Sequence, residues 1–69
     1  MTKDETAAKV AAMIKGSRER NGWTLYKLSK NTGLTIGHLS RIEKGKTAIR
    51  IDILNRLALA LNFTVSFPI

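Results

Sequence analysis

The sequence predicts an all-α domain of about four helices, followed by one short β-strand. Three observations carry that reading. Two short helical patterns meet at Gly33 within residues 24–44, TLYKLSKNTGLTIGHLSRIEK. Apolar stripes at helical spacing flank them on both sides. After Asn62 the pattern changes, and Phe63-Thr64-Val65-Ser66-Phe67 alternates apolar and small polar residues as a strand does.

At the start of the chain, Thr2-Lys3-Asp4-Glu5 has the spacing of a capping box, which satisfies two free N–H groups at a helix start. Val10, Met13, Ile14 and Ser17 then form one narrow stripe, while Ala7, Ala8, Ala11 and Ala12 add helix propensity. Asn21-Gly22 ends this first helix. Thr24 is an N-cap for the second, and Trp23 just before it stands where an apolar side chain staples back onto the new helix. Leu25 and Leu28 set the apolar phase of that helix. Gly33 stops it, because glycine takes a left-handed conformation without a Cβ penalty. Only Leu34 and a second hydroxyl cap, Thr35, intervene before a third helix over 35–44, whose buried face is marked by Leu39 and Ile42. Helices joined by so short a turn cross steeply, which makes this a helix-turn-helix unit. Gly45 ends the third helix, and residues 46–50 form a loop. Ile51, Leu54, Leu57, Ala58 and Leu61 give the fourth helix its stripe, Asp52 suits the positive end of its dipole, and Asn62 is its stop.

With Leu39 and Ile42 turned inward, the outward face of the third helix carries Ile36, Gly37, Ser40, Arg41 and Lys44. Gly37 costs such a helix about 1 kcal/mol relative to alanine, which makes sense if something large must approach the backbone there. This face reads as a recognition helix for DNA.

The charge distribution agrees. The net charge is +7, and residues 15–50 hold nine cations against Glu19 and Glu43, so the whole excess lies on the segment containing the two central helices. Concentrated basic charge is the footprint of a polyanionic partner, whereas a merely soluble surface mixes its signs. Cysteine is absent, which excludes disulfides and thiolate metal sites. No apolar run is long enough for a membrane span or a secretion signal, so the expected location is cytoplasmic, with the nucleoid. His38 is the only histidine, with no second ligand at helical spacing and no carboxylate or hydroxyl constellation beside it. No metal, no cofactor and no enzymatic activity are therefore expected. Arg18 falls on or beside the first buried stripe, where an arginine needs a partner; Glu43 is the candidate, the alternative being that both are solvated.

Residues 22–61 resemble the lambda-repressor/Cro-type (XRE-like) helix-turn-helix family. The likeness rests on Gly22-Trp23-Thr24, Leu28-Ser29, Gly33-Leu34-Thr35, Leu39-Ser40, Ile42-Glu43-Lys44-Gly45-Lys46, Leu54 and Leu57-Ala58-Leu59-Ala60-Leu61. It implies a sequence-specific DNA-binding transcriptional regulator, with double-stranded DNA as its partner. It implies an ion pair between Arg18 and Glu43, and base reading from Ile36, Gly37, Ser40 and Arg41. It also implies phosphate contacts from Thr24, Lys44, Lys46 and Thr47; Lys27, Thr35 and His38 are further candidates for phosphate, His38 being able to donate to a phosphate or a base from the start of the third helix. Ile36 and Leu25 stand where many relatives carry glutamine, so amide readout of a base and an amide-to-phosphate bond are both missing. Ile36 could instead pack on a thymine methyl, and Arg41 could take guanine O6 and N7 with both arms of its fork.

The domain division follows as residues 1–62 for DNA binding and 63–69 for dimerisation. A lone strand leaves its backbone groups unpaired, and pairing with the same strand of a second copy would satisfy them, placing Phe63, Val65 and Phe67 on one face. The alternative is a tail laid on its own domain. Such a homodimer would bind a pseudo-palindromic operator as a repressor. The Gly-Trp-Thr start of the second helix and the terminal strand also resemble HipB-type antitoxins, which implies a second reading in which a toxin protein is the decisive partner.

Overall fold

The computed structural model describes residues 3–63. Within them the chain forms four helices and no strand: α1 (Lys3–Arg20), α2 (Leu25–Thr32), α3 (Ile36–Glu43) and α4 (Ile51–Leu61). The capping-box residue Thr2 and the tail residues Val65 and Phe67 lie outside the described residues. Phe63 is described, outside any helix; it is half-buried and packs against the core.

Each boundary has a local cause. Thr24 and Thr35 are extended, and their hydroxyl oxygens accept from the N–H of Lys27 and of His38, both at 3.1 Å. α2 ends at Gly33, whose φ of 77° is left-handed and whose N–H returns to the Ser29 carbonyl. α3 ends the same way through Gly45, with the Lys46 N–H reaching back to the Arg41 carbonyl at 3.0 Å. A Cβ at Gly45 would lie in ordinary contact with Ala8 and Ala11 of α1, 3.6–3.9 Å away, so this turn needs glycine for its left-handed φ of 69° and not for its small size. α4 ends at Asn62, left-handed at φ 57°, which asparagine tolerates better than most residues.

The core is a single cluster of Ile14, Leu28, Leu34, Leu39, Ile42, Leu54, Leu57 and Leu61. Ile14, Leu28, Leu39, Ile42 and Leu57 are fully buried, each contributing about 1.5–3 kcal/mol of transfer free energy. Val10, Met13, Trp23 and Leu25 pack around it, so Trp23 and Leu25 are core-facing residues. Ile51 is a correction: placed on the stripe of α4 by its periodicity, it is 54% exposed, and Ile49 and Ile53 pack against the core instead. Its phase puts it at the margin of the stripe, and its place at the first residue of the helix puts it at the end of the interface. Ala11, credited in sequence only with helix propensity, is buried, and it leaves the space that the Gly45 turn fills.

α3 and α4 each pack on both α1 and α2. The pairing of the central helices is reinforced by hydroxyls that sequence patterning gave no role. Ser29 Oγ donates to the Leu34 carbonyl, and Thr32 Oγ1 accepts from the Leu34 N–H while donating to the Leu28 carbonyl. Both backbone polar groups of Leu34, in the middle of the turn, are thereby satisfied from α2, which holds α3 in one orientation. Arg56 of α4 donates to the Thr32 carbonyl at 3.4 Å, placing a cation at the negative end of α2.

Candidate nucleic-acid interface

α3 is held from behind by one charged pair. Arg18 of α1 meets Glu43 with two arms, Nε to Oε2 at 2.7 Å and Nη2 to Oε1 at 3.0 Å. Its third donor, Nη1, bonds the Trp23 carbonyl at 2.7 Å, so one guanidinium joins α1, the start of α2 and the end of α3. The pair is almost wholly buried, with 14% and 7% of the two side chains exposed. The hydrogen bond to Glu43 pushes the Arg18 pKa up, against an opposing push from burial.

This inward pairing shapes the outward field. Glu43 is the only acid in α3, and its charge is spent on Arg18, leaving Arg41, Lys44 and Lys46 exposed with no ion-pair partner among the described residues. α2 contains no acid. The Lys27 ammonium lies 4.9 Å over the Trp23 ring and that of Lys30 lies 5.3 Å over Tyr26, whose ring is 59% exposed. Cations steered by aromatic faces keep their full charge toward an approaching polyanion.

The expected base-reading residues lie at the surface of one helix. Ile36 (45% exposed), Gly37 and Arg41 are open, and Ser40 is half-buried. Thr24, Lys27, Thr35, His38, Lys44 and Lys46 are exposed as well, and Thr47 is half-buried. Thr24 and Thr35 spend only acceptor capacity on their caps, so each hydroxyl proton remains available to a phosphate oxygen.

Among the described residues nothing accounts for Gly37. Its φ is not left-handed, and a Cβ built on it would meet nothing within 4 Å. Gly37→Ala is therefore expected to raise folding stability by up to about 1 kcal/mol, read as a higher thermal midpoint. A lower midpoint would mean that the free protein itself needs glycine there.

Residues 14–67 match the model of a helix-turn-helix family. The chain belongs to this XRE-type, lambda-repressor-like family, and is thereby a DNA-binding transcription regulator of a class that is not typically enzymatic. No curated protein matches the chain at a significant level, nor does any solved structure. Among the described residues no helix is long and apolar enough to cross a membrane.

Proposed function

We propose that the protein is a homodimeric repressor that reads a pseudo-palindromic operator, with α3 in the major groove. The observation that carries this reading is the outward face of α3, where Ile36, Gly37 and Arg41 are exposed and Lys44 and Lys46 follow at its end, while the helix's one acid is turned inward onto Arg18. Ile36 packs on a thymine methyl, the bare backbone at Gly37 allows a base edge or sugar to come close, and Ser40 and Arg41 donate to base acceptors. Thr24, Lys27, Thr35, His38, Lys44, Lys46 and Thr47 hold the flanking phosphates and fix the register. Two copies joined through the Phe63, Val65 and Phe67 tail present two α3 helices one DNA turn apart, about 34–36 Å.

Selection from a random-sequence DNA pool at two salt concentrations tests the proposal. It is expected to enrich a two-fold motif with half-sites about one turn apart. Salt-sensitive retention without enrichment would reduce the face to a phosphate grip and remove the base-reading roles. On the enriched site Gly37→Ala, stabilising for the free protein, is expected to weaken binding, since its methyl fills the space the DNA enters. Lys46→Ala is expected to weaken specific and random DNA alike and to lower the salt slope by about one, as measured by titration across salt. A slope unchanged from the parent would take Lys46 off the phosphates.

The antitoxin reading rests on the Gly22-Trp23-Thr24 start of α2 and the alternating tail. A toxin gene beside this one, or a toxin that co-purifies from the native host, would favour it; purification alone with no such neighbour would count against it.

A further inference from the structure

Two aromatic rings at the start of α2 are each capped by a lysine placed one helical turn further on, Trp23 by Lys27 and Tyr26 by Lys30. The Trp23 ring packs against the core, so the fold itself needs it. Tyr26 has no such duty: it is 59% exposed and lies outside the group of side chains packed on the core. Lys30, whose ammonium sits 5.3 Å from the centre of that ring, has no ion-pair partner among the described residues, and α2 contains no acid. Its charge is held in place without being neutralised. The row also has a definite position. Tyr26 neighbours Ser29 at helical spacing, and the Ser29 hydroxyl bonds the Leu34 carbonyl in the turn before α3. The Tyr26–Lys30 row therefore runs along the flank of α2 that borders this turn.

We propose that this row is a further grip on the DNA backbone, in which Lys30 pairs with a phosphate and the Tyr26 ring is a positioning residue that holds the ammonium over it. The inference rests on the DNA reading above and adds two residues to it. In a helix-turn-helix the second helix lies in the major groove while the first crosses the backbone, so exposed cations of α2 meet phosphates and not base edges. A lysine on a solvated helix has a flexible stem, and ordering it at an interface costs conformational entropy. A ring that already holds the ammonium reduces that cost. An acid in the ring's place would order the stem equally well and cancel the charge, whereas the attraction of a ring face leaves the charge available to a polyanion.

Titration of the full chain across salt, on the enriched operator and on random DNA, tests the two roles separately. Lys30→Ala is expected to lower the salt slope by about one on both DNAs. Tyr26→Ala keeps the lysine charge, so the slope should hold while affinity falls about two- to fivefold, the worth of one exposed cation–ring contact. Combined with Lys30→Ala it should cost nothing more, because the ring acts through the lysine. Tyr26→Phe keeps the ring and should bind like the parent. Both side chains are exposed, so circular dichroism and the thermal midpoint should stay close to the parent's in every variant. An unchanged slope for Lys30→Ala would overturn the phosphate contact, the result expected if this row faced an acidic protein instead. A loss from Tyr26→Ala that persists without Lys30, or an equal loss from Tyr26→Phe, would overturn the positioning role. A parent that binds DNA but enriches no motif would defeat the base-reading roles alone, since the slope on random DNA still reports on Lys30; a parent that binds no DNA would overturn both.

Discussion

Glu43→Ala is expected to cost about 3 kcal/mol of folding stability, read from denaturant or thermal unfolding. The magnitude follows from what is left behind. Arg18 keeps its bond to the Trp23 carbonyl, yet two of its donors lose their acceptors in a site where only 14% of the side chain reaches water. Against the 3–10 kcal/mol or so that holds a domain of this length, that loss leaves a substantial unfolded population. Replacing both partners, Arg18→Met with Glu43→Leu, is expected to cost less than Glu43→Ala alone, because no charge is then stranded. A single variant as stable as the parent would show the pair to be solvated in solution. The pH dependence has a definite sign. Arg18 is raised in the fold, so its contribution is complete below the unfolded arginine's range and is lost only as pH climbs through the still higher folded value. Neutral and mildly alkaline solutions should therefore show no loss from this group.

The legible parts of the sequence were those set by one residue at one place. Hydroxyl caps at Thr24 and Thr35, a left-handed glycine at Gly33 and an asparagine stop at Asn62 each follow from local backbone chemistry, and each occurs where that chemistry puts it. The Arg18–Glu43 pair needed more than periodicity, which left the two solvated or joined; the family likeness decided for the pair that the fold contains. What stayed illegible depends on where helices end against one another. Ile51 lies at the margin of the α4 stripe and at the helix's first residue, where it stays exposed, while Ala11 is buried where the turn at Gly45 comes down upon it. Ser29 and Thr32 look like ordinary polar positions until the turn they bond is built in three dimensions. Gly37 was legible in the opposite sense: its cost was visible, and the fold adds that no contact among the described residues requires it.

Arg41→Ala is expected to weaken binding to the enriched operator by about 1–3 kcal/mol, roughly 5- to 150-fold, and to relax the preference at one base pair. The exposed guanidinium has no ion-pair partner among the described residues, so the free protein should lose within about 0.5 kcal/mol of stability and the deficit belongs to the complex. Charge and geometry then separate through Arg41→Lys. If Arg41 only neutralises a phosphate, lysine restores most of the affinity and the salt slope together. If it takes both acceptors of a guanine edge, lysine restores the slope but not the preference, because an ammonium is a point charge without a planar fork. Titrating both variants on the operator and on random DNA distinguishes the cases. Equal losses on the two DNAs for Arg41→Ala would leave Ile36, Gly37 and Ser40 as the base-reading positions, on a face able to recognise methyl groups and shape but lacking its guanine contact.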